Sequence, residues 1–435
     1  MMEKSLSSCF IVFVICSLSA SGSQPPEVEW SKTSTDNWYE VKSVRQTSDG
    51  GYILAGTGGD YAYLMKTDPS GNKIWDKSFR RIDNGHFAQE INDGNYIFVG
   101  NSYSGRESGV WLIKTDSDGN ELWNKTFEEF DRHIWRLGFD QTEDGGYIIA
   151  GKKARGEDVL VIRTDSSGHK LWDVAYGQGD DYSAYSVKQT TDGGYIITGD
   201  IVTEVEDQFH KAQYRTDIWL WKLNSSGVTE SSGFVGWEGR HEEGFSIEET
   251  NDAGYIITGR TTGEPGKFGV AFDAFLLKMD ATGGSEWSKT FSGSGDTSSY
   301  AVGNEVRETD DGGYIVVGGK DSGNYRKGGF SDIWLVKTDN AGNIAWSKTF
   351  GEGGYDEAAS VQKTDDGGYI VAGVKDENRK SNQGYIWLIK VAAEKPETNS
   401  SDGSEAPEQS PMPGMIWSII VCLAAAGALE KIRAE

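Results

Sequence analysis

The chain has 435 residues, of which 37% are hydrophobic, and a formal net charge of −25. This charge argues against nucleic-acid partners, which need a basic surface, and is typical of a solvated or cation-binding surface. Its three cysteines, Cys9, Cys16 and Cys422, lie in apolar stretches near the two ends. The residues between therefore hold no disulfide, Cys-ligated metal or Cys nucleophile.

The N-terminal segment has the pattern of a secretory signal, predicted for residues 1–23. Lys4 precedes the apolar run Leu6–Leu18, and small residues around Ala20 offer a cleavage site. The first segment after it, VEWSKT at Val28–Thr33, closely matches IAWSKT just before Phe350.

The middle of the chain repeats a turn, a Tyr, a short apolar run and a Gly. The tyrosines are 44 to 60 residues apart: Tyr52, Tyr96, Tyr147, Tyr195, Tyr255, Tyr314 and Tyr369. A period of this size with strands in every unit predicts a radial or stacked array of small sheets.

Each repeat predicts four short strands. The first two are joined by Asp-Gly-Gly, which favours a tight hairpin. The last two are joined by Asp-x-x-Gly, which favours a type I turn, and the fourth strand carries a Trp. The seventh repeat stops after Ile386–Val391, so Val28–Thr33 should supply its missing strand. We therefore predict an all-β, seven-bladed β-propeller over residues 27–391, with four antiparallel strands per blade and closure by the N-terminal strand.

The two tight turns should share one face, and the variable loops should share the other. The longest variable segments are predicted at 200–216, 260–272, 319–331 and 374–384. Because loops on rigid scaffolds carry function, the variable face is the candidate working face.

Two scaffold residue types recur at fixed positions. A base ends every third strand and is expected to form solvated ion pairs with the turn aspartates: Lys66, Lys114, Arg163, Lys222, Lys278, Lys337 and Lys390. Trp recurs in the fourth strand and is expected to pack the blades: Trp30, Trp75, Trp123, Trp172, Trp287 and Trp346. Ser231 replaces this Trp in the fourth blade, which should be the loosest.

A carboxylate recurs in every segment between blades: Asp36, Asp83, Asp131, Asp181, Glu242, Asp296 and Asp356. One hypothesis is an acidic crown that binds a divalent cation, calcium, through hard oxygen ligands. The alternative is that these residues cap strands through Asx turns. The histidines show no metal-ligand spacing, and no catalytic or cofactor-binding residue set stands out.

Composition changes after Val391. Residues 392–413 are rich in Glu, Ser and Pro and predict a disordered stalk, and residues 414–435 form an apolar anchor or sorting tail. The tail resembles the Pro-Gly-Phe sorting signal of archaeal surface proteins, with Met415 where Phe is expected. That resemblance implies anchoring at the cell surface; the alternative is an unprocessed membrane anchor. Export would make three sequons candidate glycosylation sites: Asn124, Asn224 and Asn399.

The repeats resemble known propeller families. DGGYIVVGG followed by DIWLVKTD and Trp346 is similar to kelch repeats, and Asp165, Gly168 and Trp172 follow a spacing similar to quinoprotein-type repeats. Over Val28–Val391 the repeat motifs resemble those of secreted archaeal and bacterial DGGY-repeat proteins. That group implies the propeller fold; most of its members have no established activity, and some carry labels such as endoglucanase.

These features predict a monomeric binding module at the cell surface. Its variable loops would contact a glycan, a protein or an envelope component, and its tail would contact the membrane. The alternative is a secreted polysaccharide-active enzyme of the glycoside hydrolase type, which would need two carboxylates at a set separation.

Overall fold

The computed structural model describes residues 24–34, 40–59, 61–103, 108–131, 133–154, 156, 158–177, 181–206, 212–237, 240–262, 271–292, 300–321, 331–351, 354–376 and 384–394. Within this part of the chain, no helix is long and apolar enough to cross a membrane. The predicted signal (residues 1–23) and apolar tail lie outside the described residues, as does all of the predicted stalk except its first residues.

The described chain forms seven sheets of four antiparallel strands each, which confirms the predicted seven-bladed β-propeller. Blade 1 comprises β2 (Glu40–Gln46), β3 (Tyr52–Gly58), β4 (Tyr61–Thr67) and β5 (Lys73–Phe79). Blade 2 comprises β6 (Asn84–Glu90), β7 (Tyr96–Ser102), β8 (Gly109–Thr115) and β9 (Glu121–Phe127). Blade 3 comprises β10 (Gly138–Gln141), β11 (Tyr147–Lys152), β12 (Val159–Thr164) and β13 (Lys170–Tyr176). Blade 4 comprises β14 (Asp181–Gln189), β15 (Tyr195–Glu206), β16 (Ala212–Leu223) and β17 (Thr229–Val235). Blade 5 comprises β18 (Glu242–Glu249), β19 (Tyr255–Thr262), β20 (Phe272–Met279) and β21 (Ser285–Phe291). Blade 6 comprises β22 (Ala301–Glu308), β23 (Tyr314–Asp321), β24 (Ser331–Thr338) and β25 (Ile344–Phe350). Blade 7 comprises β26 (Glu357–Lys363), β27 (Tyr369–Lys375), β28 (Tyr385–Val391) and, from the other end of the propeller, β1 (Val28–Thr33).

The N-terminal strand closes the ring as predicted. β1 pairs antiparallel with β28, and Val28 lies opposite Val391. The Trp387 indole also donates a 2.6 Å hydrogen bond to the Ser31 hydroxyl of β1. The blade built from both ends of the propeller therefore leaves β28 with no open edge.

The two tight turns of a blade share one hydrogen-bond pattern. In the first hairpin Gly50 N–H donates to the Thr47 carbonyl, and in the second Gly71 N–H donates to the Asp68 carbonyl. Gly50 has φ +79° and Gly71 has φ +75°, so glycine avoids the strain that a Cβ would bring. A Cβ at Gly50 would lie 3.5 Å from Pro69, which places the two turns side by side on one face.

The recurring tryptophans pack neighbouring blades together, as predicted. The Trp75 ring lies 5.8 Å from the Tyr96 ring of the next blade, in an edge-on arrangement. A Cβ added at Gly119 would approach the Trp75 ring to 2.7 Å, so this turn needs glycine for packing as well as for its positive φ. In five blades the glycine of this second turn packs against the indole of the preceding blade: Gly71, Gly119, Gly168, Gly227 and Gly342.

Blade 4 shows what the missing Trp leaves behind. Ser231 lies opposite Lys222, the place that Trp takes elsewhere. Beside it is a cavity of about 110 Å³ lined by Ser231, Tyr255, Met279 and Gly283 among others. A Cβ at Gly283 would meet no atom within 4 Å, whereas the matching Gly342 lies against Trp287.

Replacing Ser231 with Trp is therefore expected to stabilise the propeller. The indole would fill the cavity between blades 4 and 5, and burying its apolar area is worth roughly 1–3 kcal/mol. Thermal melts would measure the gain, with Ser226→Trp in the exposed turn as the control. A Ser231→Trp protein that melts no higher than that control would contradict this account.

The repeated bases pair with the turn aspartates in all seven blades, but they are not solvated as predicted. Lys337 Nζ donates to both Asp311 carboxylate oxygens and to the Thr338 carbonyl, while 2% of its side chain is exposed. Trp346 lies opposite it in the adjacent strand and covers its aliphatic stem. Each base is thus a largely buried clamp between the first hairpin and the third strand, while its aspartate stays exposed.

These clamps affect the charge of the turn aspartates. For Asp252, the hydrogen bond from Thr250 has the largest effect; with the bonds from Lys278 and Gly254 it overcomes the opposing effect of burial. Together they lower the pKa of Asp252 to about 2. The carboxylate is therefore ionised at neutral pH.

The variable segment 200–216, predicted as the longest loop, is mostly strand. β15 extends to Glu206 and β16 begins at Ala212, so blade 4 carries a hairpin longer than its neighbours have. The register of this hairpin continues that of the blade core from Thr203 opposite Arg215 outward. Unbroken pairing of backbone groups favours strand over loop here.

Hydrogen bonds between neighbouring blades connect their inner strands. In one belt, a side chain of one blade accepts the backbone N–H of the next: Ser43 from Ala88, Ser186 from Ile247, Ser246 from Val306, Glu305 from Val361 and Ser360 from Val44. A second belt runs the other way near the tight turns, for example from Ser48 N–H to Glu90. These bonds fix the inner strands around the central channel.

Candidate functional site

The inner strand of each blade lines the central channel, and its first half lies toward the variable face. Going from the variable face inward, β2 presents Glu40, Lys42 and Arg45 along the channel. Two adjoining cavities open here, and Lys42, His86 and Trp135 line both of them. This shared wall belongs to blades 1 and 2 and to the loop that leads into blade 3.

Deeper in the channel an ion network joins blades 6, 7 and 1. Glu305 accepts from Arg45 at 3.0 Å, from Arg307, and from the Val361 backbone N–H at 2.7 Å. Burial alone would raise the pKa of Glu305, but Arg307 and Arg45 outweigh it and lower the pKa to about 2. This carboxylate is therefore ionised at neutral pH, and its ion pairs hold the inner strands of blades 6 and 1 together.

Arg136 crosses the channel nearer the variable face. Its guanidinium lies 3.9 Å from the centre of the Phe245 ring and donates a 2.8 Å hydrogen bond to the Asn304 side-chain oxygen. Blade 3 thereby contacts blades 5 and 6 through one side chain. Among the described residues, no carboxylate lies within ion-pair distance of this guanidinium.

The wider of the two cavities has an aromatic rim. It measures about 320 Å³, and Tyr103, His133 and Trp135 line its mouth. The Tyr103 and His133 rings stack at 6.2 Å. Trp135 is 86% exposed, although a Trp that served packing would be covered.

The floor of this cavity is polar and uncharged. His86 Nε2 is 2.7 Å from the Asn101 side-chain oxygen. Burial has the largest effect on this imidazole and lowers the pKa of His86 to about 4, so the ring is neutral at physiological pH. Beside it, Asn84 adds a second amide and Lys42 pairs with Glu40. These groups can donate and accept hydrogen bonds to hydroxyl groups.

The two groups that contact Arg136 are themselves held by neighbouring side chains. Arg260 lies over the Phe245 ring and makes two hydrogen bonds of 2.9 Å to Glu243. Glu357 accepts from the Tyr300 hydroxyl at 3.0 Å and from the Asn304 amide at 2.7 Å. Phe245 and Asn304 therefore form a well-anchored support for Arg136.

The described members of the predicted acidic crown each bind groups within or beside their own blade. Asp83 accepts from Tyr103 N–H, Asp131 from His133 N–H and Asp356 from Asp376 N–H. Asp181 pairs with Lys152. Among the described residues, no three His, Cys, Asp or Glu side chains are grouped to hold a metal ion. Asp36 and Asp296 lie outside the described residues, and the calcium site stays a prediction.

Glu242, the remaining crown residue, is fully buried. Its carboxylate accepts from the Thr261 hydroxyl at 3.0 Å and from Trp237 N–H at 3.4 Å. Burial has the largest effect and raises the pKa of Glu242 to about 7. A carboxyl group that is half protonated at neutral pH is a weaker ligand for a hard cation than an ionised one.

Two of the three sequons lie in the described part of the chain. Asn124 lies within β9, where its amide donates to Glu121. Asn224 takes the place of Asp in its turn, and its side-chain oxygen accepts from Ser226 and Val228 N–H. Asn399 lies outside the described residues.

The sequence interpretation missed Trp135 and Arg136, because neither belongs to the repeat. Both lie between β9, which ends at Phe127, and β10, which begins at Gly138. A Trp outside the strand-four position was a signal that could have drawn attention to this segment.

These features define a repeat-type seven-bladed β-propeller with a polar, aromatic-rimmed channel mouth on its variable face. No family model and no curated protein matches the chain. A streptogramin B lyase structure is 10% identical, with 83% of this chain and 97% of that chain covered and a TM-score of 0.50. A catalytically inactive virginiamycin B lyase from Staphylococcus aureus with quinupristin is also 10% identical, with 83% and 98% covered and a TM-score of 0.50. At this identity the likeness shows the fold alone.

Proposed function

We propose that the protein is a glycan-binding module that presents the mouth of its channel, on the variable face, to saccharides at the cell surface. The exposed indole of Trp135 beside the 320 Å³ cavity carries this proposal. An exposed aromatic face packs well against the C–H face of a sugar ring, and it contributes nothing to folding where it stands.

The groups around Trp135 complement a saccharide. Asn84 and Asn101 supply amides, His86 supplies a neutral imidazole, and Lys42 supplies an ammonium group. Hydroxyl-rich ligands need such planar polar partners at the base of an apolar platform. Export and surface tethering, which rest on the two ends of the sequence, belong to the same proposal.

The chemistry of the site supports binding over hydrolysis. Among the described residues, the carboxylates that line the two cavities are Glu40 and Glu305, and both are held in ion pairs. A glycosidase needs one carboxyl group that can donate a proton and a second across the scissile bond. Glu305, with its pKa near 2, cannot donate a proton at neutral pH.

Replacing Trp135 with Ala is expected to lower saccharide affinity at least tenfold, about 1.4 kcal/mol, without shifting the melting temperature. The measurement is a glycan-array screen followed by calorimetry with the best ligand. Tyr355→Ala is the matched control, since Tyr355 is a 52% exposed aromatic residue that lines neither cavity. Equal affinity in both variants would refute the site, and release of reducing ends from a bound polysaccharide would favour the enzyme alternative.

A further inference from the structure

The channel beneath Trp135 is cationic, although the protein as a whole is strongly acidic. Among the described residues that line the deeper cavity, about 110 Å³, Glu305 is the one acidic residue against five basic ones: Lys42, Arg45, Arg136, Lys188 and Arg307. With a net charge of −25, such a concentration of positive charge is contrary to the overall composition. It points to a local requirement for an anion.

Four of these five cations are already matched by carboxylates. Lys42 pairs with Glu40, Lys188 with Asp140, and both Arg45 and Arg307 with Glu305. Arg136 differs, because the polar group bonded to it is the neutral Asn304 amide. A guanidinium has five N–H donors, and this one uses few of them within the described protein.

A comparison with Arg260 shows how Arg136 departs from a satisfied arginine. Both side chains lie against the Phe245 ring. Burial would lower the pKa of each guanidinium, but for Arg260 the hydrogen bonds that it donates to the Glu243 carboxylate, and the charge of that carboxylate, overcome burial and raise the pKa. For Arg136 burial prevails and lowers the pKa, with Glu357 only partly opposing it. The positive charge of Arg136 is therefore incompletely compensated by the protein.

We propose that the saccharide is acidic, and that a sugar carboxylate enters the channel and pairs with Arg136 while the sugar ring lies on Trp135. This inference rests on the proposed glycan-binding function and names its ligand class. Lys42 and Trp135 line both cavities, so a ligand seated on the rim reaches the cationic channel without leaving the site. The planar guanidinium matches a carboxylate through two parallel hydrogen bonds.

Calorimetry on the full-length protein with three trisaccharides tests this inference. The probes are trigalacturonic acid, its methyl ester and a sulfated neutral trisaccharide. The acid is expected to bind at least tenfold more tightly than the ester, because the ester lacks the negative charge that strengthens hydrogen bonds from the guanidinium. This comparison needs no variant, so it does not depend on how a substituted channel folds.

Arg136→Gln should then reduce affinity for the acid at least tenfold and leave affinity for the ester unchanged. Arg136→Lys should restore part of the loss, since it returns the charge without the fork. Lys320→Gln is the control, because it removes one positive charge at a residue that lines neither cavity.

The outcomes separate this inference from the function on which it rests. Trp135-dependent binding of the ester and the acid with equal affinity would overturn the inference and leave the glycan-binding function standing. Preference for the sulfated probe would also overturn it. Absence of binding to any saccharide on the array would refute the proposed function itself.

Discussion

Deleting Val28–Thr33 is expected to destroy the stability of the propeller. The deletion removes β1, which is the fourth strand of blade 7 and pairs along β28 from Val391 to Trp387. It also removes Trp30, whose ring packs at 5.9 Å against Tyr52 of blade 1. Trp30 is partly buried, so its loss costs less than the about 3–5 kcal/mol of a fully buried Trp, and each backbone hydrogen bond adds about 1 kcal/mol. The sum is comparable to the whole net stability of a typical domain.

Thermal melting and size-exclusion chromatography would measure this effect. The matched control is a chain that begins at Gln24, which keeps β1 and loses only the segment before it. The shortened protein should melt far below this control and aggregate through the exposed edge of β28. A synthetic Val28–Thr33 peptide should restore part of the stability by adding as a strand. Equal melting temperatures for the two chains would refute closure by β1.

Repetition made the scaffold predictable. Seven copies of one sequence motif predict the hairpins, the strand register and the closed ring of blades, because each copy repeats the same local preferences. Closure by β1 followed from a missing strand at one end and a spare copy at the other. The partners of the repeated bases also followed from the repeat. Their burial did not, because it depends on the cross-strand Trp and on the neighbouring blade.

The candidate site was less predictable, because its residues do not belong to the repeat. Residues that give a propeller its individual ligand occur once and leave no periodic signal. Trp135 and Arg136 come from one segment between blades, and the contact of Arg136 with Asn304 joins residues that are distant in sequence. Likewise, the length of the blade 4 hairpin depends on continued pairing of β15 with β16. The non-repeating sequence in this segment has no motif that predicts this pairing.

Glu305 offers the clearest test of how the channel itself is held together. Its carboxylate binds two arginines and the Val361 backbone, and it belongs to the belt in which most blades place a serine. Replacing it with Ala would leave Arg45 and Arg307 without their shared anion in the channel. Breaking a buried ion pair by removing one partner costs about 3–5 kcal/mol. The melting temperature should fall by several degrees.

A serine at this position, Glu305→Ser, is the informative comparison. It restores the belt hydroxyl found at Ser43 and Ser246, yet it still leaves the two arginines without their shared anion. If the ion network dominates, Glu305→Ser should be nearly as unstable as Glu305→Ala, and recovery to wild-type stability would show that the belt bond alone matters.

The pH dependence of unfolding distinguishes these contributions further. The native pKa of Glu305 lies near 2, below its ordinary value of 4.5, so ionised Glu305 stabilises the fold above about pH 4.5. This stabilisation is lost progressively as the pH falls from about 4.5 toward 2. The turn aspartates are lowered in the same direction, so wild type and variant should both weaken in acid. Wild type should weaken more steeply, and the gap between the two melting temperatures should narrow as Glu305 is protonated. A gap that stays constant between pH 7 and pH 3 would show that the ionised carboxylate of Glu305 contributes nothing to stability.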